Sequence, residues 1–123
     1  MIAALVVHAL TDPHAGETFK PHPEFPHLHV SDHGRVWSEK SRKFVGHLRG
    51  DRGGQLRPGH AYLAVTTDNL GRKRDIHVLV LETFVGPRPA NHDGDHIDHD
   101  HLNNALGNLR WRTVNENRAD TTR

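Results

Sequence analysis

The segment from residue 91 to residue 101 concentrates side chains that can bind cations or move protons. It holds four aspartates and four histidines and no lysine or arginine. Carboxylate oxygens are ligands for hard divalent cations, and a neutral histidine is both a metal ligand and a proton acceptor near pH 7. Asp95 and His96 are adjacent, so in a regular strand their side chains would point to opposite faces. We therefore expect an irregular backbone around Gly94, or an approach from the edge, if both serve one small site.

The composition of the chain limits what this chemistry can be. The 123 residues include 13 histidines and no cysteine, which excludes disulfides, cysteine-based zinc fingers and thiol catalysis. A chain of this length fits one small domain. No segment approaches the roughly twenty apolar residues of a transmembrane helix. The apolar residues 1–10 lack the features of a signal peptide and suggest a first strand. We therefore expect a soluble, cytoplasmic protein.

The net charge of +1 conceals two segments of opposite charge. Between residues 35 and 74, ten basic residues stand against three acidic ones. Such a segment favours a polyanion through phosphate contacts, whereas the acidic segment would repel the polyanion unless a cation neutralised it. A bound divalent metal would reconcile the two. The candidate nucleic-acid contacts are Arg35, Lys43, Arg72, Lys73, Arg74, Arg110 and Arg112.

Short alternating segments in the first part of the chain predict β-hairpins. Residues 25–38 alternate apolar and polar positions and turn at Gly34, and residues 43–48 extend this meander. The Gly- and Pro-rich residues 51–59 predict a loop. Residues 61–66 begin a second predicted hairpin, whose returning strand carries three successive cations.

The remaining segments predict a helix followed by a strand, a loop, a strand and a second helix. Residues 76–84 can form one apolar helical face, and a buried strand is the alternative for so short a β-branched run. Residues 109–113 alternate apolar and basic side chains and predict a strand that pairs with the acidic segment. Thr113 and Glu116 have the spacing of a capping box, which starts a helix. The predicted fold class is α+β, with small antiparallel hairpins followed by a helix and a C-terminal ββα unit.

Residues 95–117, DHIDHDHLNNALGNLRWRTVNEN, resemble the ββα-metal motif of HNH endonucleases, in particular the phage and intron homing type. The four key positions of that motif are matched in order by Asp95, His96, Asn108 and Asn117. The upstream stretches VSDHGRVWS and HVLVLETFVGP are similar to the module that usually accompanies it. The resemblance covers residues 25–117 and implies a metal-dependent endonuclease that hydrolyses DNA phosphodiester bonds.

The resemblance implies a role for each of these residues. His96 would act as the general base, taking a proton from the water that attacks the scissile phosphorus. Asp95 and Asn117 would bind one divalent cation, Mg²⁺ or Mn²⁺, through oxygen. Asn108 would support catalysis structurally, its amide tying the loop so that His96 stays oriented. The implied partner is double-stranded DNA, with no role for a membrane.

The chain departs from the family pattern in three ways. The last key position is often a histidine, and its replacement by Asn117 disfavours a soft metal such as zinc. The cysteine pairs that bind zinc in many relatives are absent. Six residues follow Asn117 in this sequence, so we expect it to lack the C-terminal helix-turn-helix of many homing enzymes. Target recognition would then come from the basic hairpins or from a homodimer, or it would be weak.

Several interpretations stay open at this point. We expect a basic, β-rich DNA-contacting region over residues 1–75 and the helix with the nuclease motif over residues 76–123, within one compact domain. The same residues are compatible with a DNA-binding module that has lost catalysis, or with a His-rich metal-binding protein. We interpret Asn104 as a turn residue. The other histidines of the loop are His92, His99 and His101, which we interpret as exposed.

Overall fold

The computed structural model describes residues 16–50 and 61–120 and confirms an α+β fold. The strands are β1 (Phe19–Pro21), β2 (Leu28–Ser31), β3 (Val36–Ser38), β4 (Lys43–Val45), β5 (His47–Arg49), β6 (Tyr62–Thr66), β7 (Lys73–Asp75), β8 (His92–His96) and β9 (Leu109–Thr113). The helices are α1 (Ile76–Phe84) and α2 (Val114–Asp120), and a 3₁₀ turn spans Leu106–Asn108. Strands β1 to β4 form one antiparallel sheet, β5 to β7 a second, and β8 pairs with β9. The predicted strand at residues 1–10 and the predicted loop at residues 51–59 lie outside the described residues.

The first predicted hairpin is present as β2 and β3. Val30 pairs with Val36, and both side chains are buried, as the alternation of apolar and polar residues predicts. Gly34 forms the turn with a φ of 90°, a conformation that glycine adopts without steric cost. The meander predicted over residues 43–48 is only partly correct, because the chain changes sheets at Gly46. Strand β4 pairs with β3, whereas β5 pairs with β6.

Residues 76–84 form helix α1 and not the alternative buried strand. Its apolar side chains enter a core that consists of Leu28, Val30, Val36, Val65, Ile76, Leu79, Val80, Leu81 and Leu109. The helix ends near Gly86, whose N–H donates to the Leu81 carbonyl at 3.0 Å. Because α1 contacts strands of all three sheets, it joins the upstream sheets to β8 and β9. In the part of the chain that the structure describes, neither helix has the length and apolar composition needed to span a bilayer.

The last part of the fold is the predicted unit of two strands and a helix. Strand β8 pairs with β9 in antiparallel register, with His96 opposite Leu109 and Asp95 opposite Arg110. Helix α2 begins directly after β9, where Thr113 Oγ1 accepts a hydrogen bond from the backbone N–H of Glu116 at 3.2 Å. The Glu116 carboxylate in turn accepts the N–H of Thr113 at 3.2 Å. These reciprocal bonds confirm the predicted capping box.

Candidate active site

Three of the four residues that match the motif line one cleft. The cleft is open, has a volume of about 500 Å³, and includes Asp95, His96 and Asn117 in its walls. Its other side is formed by residues of β5 and β6. Asn108 lies apart from the cleft lining, in the 3₁₀ turn that precedes β9. The fold therefore brings a carboxylate, an imidazole and an amide together at one accessible place.

Strand β8 reaches the cleft without the irregular backbone expected around Gly94. Its residues pair one to one with β9 from His92 to His96, so neighbouring side chains point to opposite faces of the strand. Asp95 and His96 are the last two residues of β8, and both line the cleft at this end of the strand. Gly94 instead provides space for α1, because a Cβ atom there would lie 2.7 Å from the Cδ2 atom of His77 on α1. The missing side chain therefore lets α1 pack closely on β8.

Two arginines of β9 flank the carboxylate of Asp95. Its Oδ2 atom accepts a hydrogen bond from Arg110 Nε at 2.8 Å, and Arg112 Nη1 lies 3.9 Å from the same oxygen. The Asp95 side chain is only 13% exposed. The two guanidinium groups therefore place positive charge beside the Asp95 carboxylate, and the bond from Arg110 orients it.

The imidazole of His96 is buried and makes a specific contact with Asn104. The two residues are each 4% exposed, and His96 Nε2 lies 2.8 Å from Asn104 Oδ1. The sequence interpretation of Asn104 as a turn residue therefore missed its contact with the histidine. The available signal was the Asn103-Asn104 pair within a polar loop, which does not indicate which amide turns inward.

Asn108 ties the loop between the two strands. Its Nδ2 donates to Asp98 Oδ1 and to the Asn103 carbonyl, both at 2.9 Å, and its Oδ1 accepts the backbone N–H of Asp98 at 3.1 Å. A side-chain bond from Asn103, a backbone bond from Asp100 and the bond from Asn108 lower the pKa of Asp98 to about 2. Asn108 thus bonds residues within the loop, while the side-chain bond to the histidine comes from Asn104.

Aromatic rings from three elements meet on the inner side of the cleft. Tyr62 of β6 stacks on His101 of the loop, with ring centroids 4.5 Å apart and an interplanar angle of 12°. His77 of α1 lies 4.5 Å from His96 between ring centroids. Burial, assisted by the neighbouring His96, lowers the pKa of His77 to about 4, so its ring is neutral at pH 7. His101, expected to be exposed, is half-buried because it packs on the second sheet.

The donor atoms in the cleft fit a hard divalent cation. Asn117 Oδ1 is buried and has no hydrogen-bond partner among the described residues, whereas most buried side-chain oxygens have one. Asp95 supplies a carboxylate in the same cleft. Mg²⁺ commonly takes few protein oxygens and completes its shell with water and substrate phosphate. Within residues 16–50 and 61–120, no group of three or more His, Asp or Glu residues is placed to hold a metal. The oxygens of Asp95 and Asn117 are thus the candidate cation ligands in this cleft.

The upstream cations predicted to contact nucleic acid differ in how far the fold engages them. Arg35 binds the buried carboxylate of Glu17 with both Nε and Nη2. Arg74 Nη1 donates to Glu82 Oε2 at 2.9 Å. Arg72 Nε lies 2.6 Å from Asp68 Oδ2 but is 72% exposed. Both lysines of this set, Lys43 and Lys73, are exposed. The exposed positive charge of this set therefore comes from Lys43 on β4, Lys73 on β7 and Arg72 just before it.

The family model and the two relatives that match this chain are all described as HNH endonucleases. Residues 74–119 match the family model described as HNH endonuclease. The H-N-H endonuclease F-TflII of Escherichia phage T5 is 33% identical over 110 residues, which is 86% of this chain and 53% of that protein. An uncharacterised HNH endonuclease of Acanthamoeba polyphaga mimivirus is 29% identical over 90 residues, covering 72% of this chain and 25% of the relative.

A solved structure is also similar. This structure shows DNA binding and cleavage by the HNH homing endonuclease I-HmuI. It matches the present chain with a TM-score of 0.65 and 27% sequence identity. The match covers 85% of this chain and 57% of that one. The chain thus spans about half the length of the phage enzyme and of I-HmuI.

Proposed function

Because this chain belongs to the HNH endonuclease family, we propose that it is a metal-dependent endonuclease that hydrolyses phosphodiester bonds in double-stranded DNA. The observation that carries the proposal is the cleft shared by Asp95, His96 and the buried Oδ1 atom of Asn117, which has no hydrogen-bond partner in the part of the chain that the structure describes. The solved relative is described as binding and cleaving DNA, which supports DNA as the partner.

In this proposal the side chains of the cleft divide the chemistry between them. His96 accepts a proton from the water molecule that attacks phosphorus, which requires a neutral ring with one free lone pair. Asp95 and Asn117 would hold one divalent cation, Mg²⁺ or Mn²⁺. When bound, such a cation stabilises the negative charge that develops on the leaving 3′ oxygen. Asn108 keeps the connecting loop in place through its bonds to Asp98 and Asn103.

The test separates the proposed base from the proposed metal ligand. Supercoiled plasmid incubated with the protein and Mg²⁺ or Mn²⁺ should relax, and EDTA should stop the reaction. His96→Ala should slow relaxation by about 10²- to 10⁴-fold, the range of general-base contributions, while Mn²⁺ binding measured by calorimetry persists. Asn117→Leu should weaken both plasmid relaxation and Mn²⁺ binding. Asn115→Leu is the matched control, because Asn115 is exposed on the same helix, and it should behave as the wild type.

Other outcomes would contradict this proposal and identify the alternatives. Salt-dependent DNA binding without cleavage in any divalent cation would indicate a catalytically inactive DNA-binding module. Several histidine-dependent metal sites without DNA affinity would indicate a metal-binding protein.

The products also report the assembly, since one site per chain nicks one strand. Linear plasmid formed without a nicked intermediate would indicate a homodimer.

A further inference from the structure

We propose that Asn104 is a positioning residue that fixes the tautomer and the ring orientation of His96. The inference rests on the proposed role of His96 as general base. Asn104 Oδ1 lies 2.8 Å from His96 Nε2, and both residues are 4% exposed. An amide oxygen can only accept a hydrogen bond, so Nε2 must carry the ring proton. The lone pair that receives a proton from water is then on Nδ1.

The position of Asn104 is itself fixed by the turn of the β2–β3 hairpin. A Cβ atom at Gly34 would lie 2.7 Å from Asn104 Cβ and 2.8 Å from its carbonyl oxygen, so turn and loop are in direct contact. The backbone N–H of Leu106 donates to the Asp32 carbonyl at 2.8 Å and closes the same interface. The turn of the upstream sheet therefore packs directly against Asn104 and limits its movement.

The other neighbours of His96 restrain its ring without selecting a nitrogen. The centroids of His77 and His101 lie 4.5 Å and 5.5 Å from that of His96, with interplanar angles of 50° and 42°. Ring packing of this kind limits tilting, but it acts on both tautomers alike. Asn108 directs its amide to Asp98 and Asn103. Of these neighbours, Asn104 is thus the one whose hydrogen bond distinguishes Nε2 from Nδ1.

The tautomer can be read directly in the protein without DNA or metal. Long-range ¹H–¹⁵N correlation spectra of the ¹⁵N-labelled chain, recorded where histidines are neutral, distinguish protonated from unprotonated ring nitrogens. The wild type should show His96 with its proton on Nε2. Asn104→Asp retains an oxygen acceptor and should keep this tautomer, whereas Asn104→Leu removes the acceptor and should give a mixture. Asn103→Ala is the control, because Asn103 bonds Asp98, and it should leave the His96 pattern unchanged.

Plasmid relaxation gives the second readout. Asn104→Leu should lower kcat by about 10- to 100-fold with little change in KM, as expected when an orienting partner is lost. Asn104→Asp should recover most of that loss together with the Nε2 tautomer, whereas a purely structural role would leave the His96 tautomer unchanged in Asn104→Leu. A wild-type proton on Nδ1, or unchanged tautomer and kcat in Asn104→Leu, would overturn the proposal. If Asn104→Leu does not fold, the wild type and Asn104→Asp spectra still decide. A wild type that cleaves no DNA but shows the Nε2 proton would count against the proposed function alone.

Discussion

Two buried histidines outside the cleft each contact a glutamate. His22 Nε2 lies 2.8 Å from Glu82 Oε1, and its Nδ1 accepts backbone N–H bonds from the turn that follows. His29 Nε2 lies 2.6 Å from Glu39 Oε1. The first contact joins the end of β1 to α1, and the second joins β2 to the residue after β3. Part of the histidine excess therefore serves the fold, which the sequence alone does not reveal.

His77 should make the stability of the protein depend on pH. Burial lowers its pKa from 6.5 to about 4, so between these values the unfolded chain binds a proton that the folded chain excludes. The free energy of unfolding should therefore fall as the pH decreases from 6.5 to about 4. We expect His77→Gln to reduce this loss by about 1–3 kcal/mol in urea titrations across that range.

A matched substitution controls for the general effect of removing a histidine. His47 is exposed on β5, and His47→Gln should leave the pH dependence close to that of the wild type. A decline in the free energy of unfolding that is equally steep in the wild type and in His77→Gln would contradict the prediction.

At the scale of elements, the sequence correctly predicted the turns and helix ends that depend on neighbouring residues. Gly34 marked the first hairpin turn, and the Thr113–Glu116 spacing marked the start of α2, because both depend on residues close in the chain. The change of sheet at Gly46 was missed, because the pairing of β5 with β6 crosses a long sequence separation. The contact of Asn104 with His96 was missed for a related reason: it depends on how the loop packs on a distant turn.

Gly34 and Gly71 provide a matched pair that isolates this packing. Both lie in hairpin turns with positive φ, 90° and 80°, so an alanine at either position has a backbone cost of roughly 1–2 kcal/mol. A Cβ atom at Gly34 would collide with Asn104, whereas nothing lies within 4 Å of one at Gly71. Gly34→Ala should therefore lower the melting temperature further than Gly71→Ala, and it alone should slow plasmid relaxation. Equal effects on relaxation would show that the turn does not position the loop.

At the scale of the whole molecule, ion pairs within the fold use part of the basic segment. Arg49 binds Asp75 through Nε and Nη2, at 3.1 and 2.9 Å, and Arg35 binds Glu17. Arg74 is engaged in the same way by Glu82. Burial raises the pKa of Glu82, but the hydrogen bonds from His22 and Arg74 together lower it more. The count of ten cations in this segment therefore overstates the positive charge available to a phosphate backbone.

The salt dependence of DNA binding should separate cations that contact phosphate from cations that hold the fold. Each phosphate contact contributes about 0.9 to the slope of log Kd against log salt concentration. Lys73 is exposed on β7, so Lys73→Gln should reduce the slope by about that amount without changing the melting temperature.

Arg74→Gln leaves Glu82, whose side chain is 13% exposed, without one partner, so it should destabilise the protein by about 1 kcal/mol and change the slope less. Lys20→Gln removes the same charge from a residue whose Nζ atom lies over the Phe84 ring. It should leave the slope unchanged and destabilise the protein by about 0.5–1 kcal/mol. A larger slope change in Arg74→Gln than in Lys73→Gln would mean that DNA competes successfully for the arginine, and that the Arg74–Glu82 pair opens when the complex forms.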